Sequence, residues 1–254
     1  MRRRFMLPGV TLPAIALAVL GALLTGAPAA QAAAVEQLRL TFDAPPGGQA
    51  EPGPWSTGCF ADAAGAADNA CIQVAAPGEI ARVTRPTGGT TSPAVKFPAA
   101  GAGKAVLEVP HAAHLNPGTA DFTITALVKI SSAELSSANI VQKGLFATPE
   151  GQWKLQVENG RPSCRIGGLR DGVLVSAMAT WPTSVADTGW KFLSCKRRGA
   201  TLSISVDNAT PVNAPESAAM HVANTVKVSI GARGTGTSND QFHGALDNVV
   251  FSVG

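Results

Sequence analysis

The acidic residues of this sequence stand singly, and their distribution argues against hydrolytic chemistry. A glycoside hydrolase needs two carboxyl groups flanking the scissile bond, one as an acid and the other as a nucleophile or base. The segment nearest to that arrangement is Ala245-Leu246-Asp247-Asn248-Val249, which has no glutamate on either side. No predicted strand places two carboxylates on one face at positions i and i+2. We therefore predict that the protein is not an enzyme.

Three other arrangements that could support catalysis or metal binding are incomplete. His111 and His114 lie three residues apart, but no H-E-x-x-H pattern surrounds them. The run Gly231-Ala232-Arg233-Gly234-Thr235-Gly236 has the glycines of a phosphate loop without its lysine or a following helix. The G-x-S-x-G pattern of serine hydrolases is absent. We interpret the two histidines and the glycine run as surface loops.

Aromatic side chains that could stack on a sugar are scarce, because the chain has four tryptophans and no tyrosine. A flat ring against the apolar face of a sugar is a common element of carbohydrate binding. Trp153 and Trp190 fall inside predicted strands, which favours the core. Trp55 and Trp181 fall in predicted loops. We therefore name Trp55 and Trp181 as the candidate ligand-binding residues.

The four cysteines, Cys59, Cys71, Cys164 and Cys195, all follow the N-terminal segment described next. An even number of cysteines in an exported chain predicts two disulfides, with three possible pairings. A zinc site would need closely spaced pairs such as C-x-x-C, and none is present.

The first 34 residues have the order of a secretory signal peptide. Arg2, Arg3 and Arg4 precede an apolar run over residues 10–24, and small residues follow near Ala32. The run contains Pro13 and is shorter than the roughly 20 residues of a membrane-spanning helix, so we expect export without membrane insertion. Of the 20 Lys and Arg residues three lie here, and the remaining 17 balance the 17 Asp and Glu. This neutral balance gives no support to a nucleic-acid partner.

Alternation of apolar and polar residues predicts an all-β domain over residues 35–254. Phe122 to Ile130 gives the clearest strand, and Gln152 to Glu158 alternates in the same way before Asn159-Gly160, a typical turn of a tight hairpin. Short strands separated by turn residues continue to the end of the chain. We predict one domain built as a sandwich or jelly roll.

An ordered set of short segments runs through this domain. The segments are FTITALVK at 122–129, IVQKG at 140–144, WKL at 153–155, Trp190, LSISVD at 202–207, IG at 230–231 and FHGALDNV at 242–249. Their order resembles laminin-G-like, concanavalin A-like domains, and the two cysteines Cys164 and Cys195 are similar to a secreted bacterial subgroup of that family.

This resemblance implies a two-sheet antiparallel jelly roll that recognises glycans or proteins, often with a structural Ca²⁺. It also places Cys164 and Cys195 on neighbouring strands, which leaves Cys59 to pair with Cys71. In the family the first and last strands lie together, bringing Asp43 near Asp247. Two arrangements then stay open: a Ca²⁺ ion shared by Asp43 and Asp247, or a salt bridge or other hydrogen bond to Asp247, for which Arg39 is the candidate.

Taken together, these features predict a secreted, monomeric, non-catalytic recognition module with glycan as the leading ligand class. The alternative is a domain for protein interaction or a structural surface domain. A glycan-hydrolysing enzyme is the third possibility, because the superfamily that the chain resembles contains such enzymes.

Overall fold

Strands with one apolar face make up nearly all of the regular structure. The computed structural model describes residues 33–133, 137–145 and 151–254, so nearly all of the predicted signal peptide lies outside the described residues. A 3-10 helix at Ala113–Leu115 is the one helical element in these ranges. Nothing helical there has the length and apolar character needed to cross a bilayer. The strands are β1 (Val35–Leu40), β2 (Cys59–Phe60), β3 (Ala70–Ala75), β4 (Ala81–Thr87), β5 (Thr90–Lys96), β6 (Lys104–Val109), β7 (Phe122–Lys129), β8 (Ser137–Lys143), β9 (Gln152–Glu158), β10 (Arg161–Arg170), β11 (Val173–Thr180), β12 (Trp190–Arg198), β13 (Thr201–Val206), β14 (Val212–Asn213), β15 (Val228–Ile230) and β16 (Ala245–Val253).

These strands form two antiparallel sheets, which confirms the predicted jelly-roll sandwich. Sheet one runs β14-β13-β12-β7-β16-β5-β4, with β1 also pairing with β16. Sheet two runs β11-β10-β9-β8-β15-β6-β3-β2. The inner faces of both sheets supply the core, in which Trp153 of β9 stacks on Phe251 of β16 with ring centroids 4.5 Å apart. This stack holds the two sheets together, since each ring is donated by a different sheet.

The β9–β10 hairpin follows the sequence prediction closely. Trp153, Leu155 and Val157 are buried in the core. Asn159 and Gly160 both have positive φ, 52° and 72°, as a two-residue hairpin turn of type I′ requires. The polar residues between the core positions therefore form part of the outer face of sheet two.

The last strand departs from the prediction at Asp247. Alternation put Asp247 on the same apolar face as Val249 and Phe251. Asn248 instead has a φ of 48°, and the pairing with β7 shifts register between Asp247 and Val250. This β-bulge sends Asp247 to the outer face of sheet one while Phe251 stays in the core.

Two disulfides are present, Cys59–Cys71 and Cys164–Cys195, which is the pairing that the family resemblance implied. The Cys59–Cys71 bridge joins the paired strands β2 and β3. The second bridge differs from the prediction of neighbouring strands, because β10 belongs to sheet two and β12 to sheet one. Both Cys164 and Cys195 are fully buried, so the bond crosses the interior between the sheets.

The basic run Lys196-Arg197-Arg198 at the end of β12 contains a buried arginine, Arg197, which is 1% exposed. The guanidinium of Arg197 donates to the carbonyls of Gly118 (2.9 Å), Ala120 (3.0 Å from Nε) and Met220 (3.0 Å). It also lies 5.1 Å from the centre of the Phe122 ring. Strand alternation turns Arg197 inward and leaves Lys196 and Arg198 exposed.

Candidate functional site

The outer face of sheet two carries a groove lined almost entirely by polar side chains, which we call the polar groove. It encloses about 190 Å³, and Leu145 is the one apolar residue along it. Its other lining residues are Ser137, Gln142, Gln152, Lys154, Gln156, Glu158, Arg165, Arg233 and Asp240.

Strand register explains why these residues meet. On β9 the outward positions are Gln152, Lys154, Gln156 and Glu158, which alternate with the core residues. Lys154 pairs with Gln142 of β8 on one side and with Arg165 of β10 on the other. Three adjacent strands thus place an amide, an amine and a guanidinium in one row across the sheet.

A loop at residues 231–241 supplies the remaining wall. Gln241 anchors it to β6 by accepting from Ala105 N (3.0 Å) and donating to Ala105 O (3.0 Å). The backbone carbonyl of Asp240 accepts from Asn139 N of β8 at 2.9 Å. These bonds hold Arg233 and Asp240 over the groove. The glycine-rich run that resembled a phosphate loop therefore contributes to the candidate site through the side chain of Arg233.

Charge in the polar groove is only partly compensated. Asp240 Oδ2 lies 3.6 Å from Lys154 Nζ and 3.4 Å from Arg233 Nε. Burial lowers the pKa of Lys154 to about 8, an effect that nearby Asp240 opposes and that Arg165 and Arg233 reinforce. The carboxylate of Glu158 accepts a hydrogen bond from Gln156 at 2.6 Å. The site thus keeps a desolvated amine beside two guanidinium groups.

Several polar side-chain groups along this face have no hydrogen-bond partner in the part of the chain that the structure describes. Gln152 is 4% exposed, and its side-chain amide makes no hydrogen bond with the residues that the structure describes. In the next row of the sheet, Asn139 and Ser163 both pair with Gln156, and their side-chain oxygens are buried without a hydrogen bond. Leaving a buried polar atom unsatisfied costs about 1–3 kcal/mol. Such atoms are typical of a place that water or a ligand completes.

The tryptophans named from the sequence lie elsewhere. Trp55 is 2% exposed, packs edge to face on Phe60 and donates its indole N–H to Ala50 O at 2.9 Å. Its ring therefore offers no platform, and that prediction was wrong because the loop folds back on the core. Trp181 is half-buried against the core and does not line the groove. Trp190, which was predicted to be in the core, lies half-buried on the outer face of sheet one.

Asp247 has a partner that the sequence did not indicate. Arg85 Nε donates to Asp247 Oδ2 at 2.7 Å, whereas Arg39 pairs with Glu36. Burial raises the pKa of Asp247, Arg85 opposes that rise, and nearby Asp43 adds to it. The described residues contain no cluster of three His, Cys, Asp or Glu side chains able to hold a metal. With one oxygen of Asp247 already bound to Arg85, the pair fits the six to eight oxygens of a calcium site poorly.

Comparisons with known proteins agree with the architecture. The family model described as the concanavalin A-like lectin/glucanases superfamily matches residues 101–252. The chain belongs to this superfamily. A search of curated proteins finds no match. Membership brings with it the jelly-roll fold and leaves the ligand of this member to be argued from its own residues.

Solved structures with the same fold include binding domains of toxins and a domain of an extracellular arabinanase. Domain 4 of AbnA, an extracellular arabinanase of Geobacillus stearothermophilus in complex with arabinotriose, aligns with a TM-score of 0.57 and 14% identity, covering 87% of this superfamily member and 93% of that chain. The binding domain of Paraclostridial Mosquitocidal Protein 1 aligns with a TM-score of 0.55 and 13% identity over 86% of this chain and 48% of its own. The binding domain of botulinum neurotoxin DC in complex with SialylT aligns with a TM-score of 0.51 and 11% identity, over 85% of this chain and 47% of its own. The chain thus spans about half the length of these toxin domains.

Proposed function

We propose that the protein is a non-catalytic module that binds glycan in the polar groove. The observation that carries this proposal is the side-chain amide of Gln152, a residue 4% exposed that lines the groove and makes no side-chain hydrogen bond with the described residues. Sugar hydroxyl groups both donate and accept hydrogen bonds, and a side-chain amide offers both functions in one plane. Gln142 and Gln156 repeat this chemistry on the same surface.

The lining also suggests how the ligand is held. No aromatic residue lines the groove within the described ranges, so the binding we propose relies on hydrogen bonds rather than on stacking. Lys154 and Arg165 add charged donors, which form stronger hydrogen bonds than neutral ones. The arabinotriose complex of the arabinanase domain, which has the same fold, supports a saccharide ligand.

The way in which the two carboxylates of the groove are engaged supports binding without hydrolysis. Asp240 lies between the cations Lys154 and Arg233, and Glu158 accepts a hydrogen bond from Gln156. Glycoside hydrolysis needs one carboxyl group to deliver a proton to the leaving oxygen and a second one opposite it. The groove offers its carboxylates as acceptors for sugar hydroxyls instead.

We further propose that this module is secreted as a monomer. Two disulfides fit an oxidising compartment, which agrees with the signal peptide expected at residues 1–34.

The proposal is tested by titrating the protein with a panel of neutral pentose and hexose oligosaccharides, arabinotriose included, using isothermal calorimetry. Gln152→Ala should weaken binding by about tenfold, because one bidentate polar contact is lost. Gln73→Ala is the matched control, since Gln73 is an exposed glutamine on β3 of the same sheet and does not line the groove. Failure of every saccharide to bind, or equal affinities of the two variants, would overturn the proposal.

A protein-interaction role is the second candidate, favoured by the tip of the β10–β11 hairpin. Val173 and Leu174 there are 63% and 45% exposed, which is unusual for large apolar residues side by side. If this tip binds a protein, Val173→Ser with Leu174→Ser should abolish capture of that partner and leave saccharide binding unchanged. Equal capture by the variant and the wild type would exclude the tip.

A further inference from the structure

A second pocket lies on the opposite side of the sandwich from the polar groove. It encloses about 360 Å³ on the outer face of sheet one, within the range of small-molecule sites. Four of its lining residues form one row of paired residues that crosses four strands. From β5 to β12 the row is Lys96, Ala245, Lys129 and Trp190.

The middle of this row is kept low by small residues. Ala245 separates Lys96 from Lys129, so the two lysines stand two strand spacings apart, roughly 10 Å. The preceding residue must be glycine, because a Cβ on Gly244 would lie 2.2 Å from the carbonyl oxygen of Lys129. A depression therefore lies between two long cationic side chains.

Within the described ranges, no acidic side chain forms an ion pair with the two lysines of this pocket. Lys96 and Lys129 are both exposed. The one acidic residue along the lining is Asp187, whose Oδ1 already accepts from Ser132 N at 3.1 Å. An anionic ligand would therefore be attracted here without displacing an internal salt bridge.

Trp190 supplies an apolar surface at one end of the row. It is half-buried, adjacent to Lys129 and in the wall of the pocket. An indole beside an ammonium group suits a ligand with an apolar ring face and a negative substituent. A simple inorganic anion would use the lysines and leave the indole without a role.

We propose that this pocket is a second binding site, specific for a saccharide unit that carries a carboxylate, such as a uronic acid. The sugar ring lies against Trp190, and the carboxylate is held between Lys129 and Lys96. The site shares no residue with the polar groove. The proposal for this pocket is therefore independent of the function proposed for the polar groove.

The test compares trigalacturonate with its fully methyl-esterified form, which has the same rings without the charge. Calorimetry of the protein should show that the acid binds at least about tenfold more tightly than the ester and that added salt removes this preference. Lys96→Met and Lys129→Met should each weaken acid binding by about tenfold. Lys196→Met is the matched control, because Lys196 is an exposed lysine on β12 outside the pocket.

Two further measurements separate the alternatives. Tryptophan fluorescence should change on acid binding in the wild type and not in Trp190→Phe, and sulfate at the same concentration as the saccharide should not compete with it. Gln152→Ala should leave acid binding unchanged. Equal affinity for acid and ester, wild-type affinity in both pocket lysine variants, competition by sulfate at equal concentration, or loss of acid binding in Gln152→Ala alone would overturn the inference.

Discussion

Arg197 and Lys154 are both buried cations on strands, but they differ in the partners that surround them. The guanidinium of Arg197 reaches three backbone carbonyls and the face of Phe122. Lys154 has one carboxylate at 3.6 Å and two guanidinium groups among its neighbours. Burial lowers the pKa of both groups, to about 10 for Arg197 and to about 8 for Lys154. The first cation completes the fold, whereas the second is kept short of partners at a surface where a ligand can supply them.

The largest expected effect is the loss of Arg197. Arg197→Met leaves the carbonyls of Gly118, Ala120 and Met220 buried without this donor, so we expect the free energy of unfolding to fall by about 3–5 kcal/mol. Urea denaturation measures it. Arg198→Met is the control, because this exposed neighbour should change stability by less than about 1 kcal/mol. Similar losses in the two variants would contradict the structural role of Arg197.

Lys154→Met should act in the opposite direction. It removes a desolvated amine and leaves Asp240 paired with Arg233, so we expect a gain of about 1–3 kcal/mol at pH 7. Saccharide binding should weaken in the same variant, because a charged donor is lost from the groove. Urea denaturation measures the gain in stability, and calorimetry measures the loss of saccharide binding. A less stable variant would show that Lys154 supports the fold as Arg197 does.

The pH dependence of that gain follows from the lowered pKa of Lys154. Between about pH 8 and the ordinary lysine pKa of 10.5, the unfolded chain holds a proton that the folded chain has lost. Stability contributed by this group therefore rises with pH across that window and is lowest below pH 8. The stability difference between Lys154→Met and the wild type should be largest at pH 7 and smaller at pH 10. Because the protein has no tyrosine, that source of alkaline titration does not enter the comparison. An equal difference at both values would place the amine in a solvated environment.

The smallest expected effect concerns Asp247, whose partner is a cation of the protein itself. Because Arg85 already binds one oxygen of Asp247, we expect the same melting temperature in millimolar Ca²⁺ and in chelator. Differential scanning calorimetry measures the melting temperature under both conditions. A rise in melting temperature with Ca²⁺ that disappears in Asp43→Ala would instead support the calcium site expected from the family.

Local patterns predicted the strands well because alternation and turn chemistry are properties of neighbouring residues. The β9–β10 hairpin with Asn159-Gly160 is the clearest example. The bulge at Asn248 could not be predicted, since one residue with positive φ reverses the alternation without changing its appearance in the sequence. The sheet face predicted for Asp247 was wrong for that reason.

The polar groove was missed because its residues come together only through register. The alternation that turns Trp153 into the core also places Gln152, Lys154 and Gln156 on the other face of the sheet. A polar face of this kind is usually exposed to solvent. The signal available was their density, with three polar residues in five positions of one strand. What the sequence could not reveal is that the loop at residues 231–241 folds over this face and buries it.

The Cys164–Cys195 bridge has a mechanical consequence. Cys164 precedes Arg165 in the groove strand β10, and Cys195 lies on β12, the strand that begins with Trp190. A pull applied to a ligand on one face is therefore carried to the other face through a covalent bond rather than by packing contacts alone. Under load the two sheets should stay together as one body, so that tension releases the ligand before it separates the sandwich.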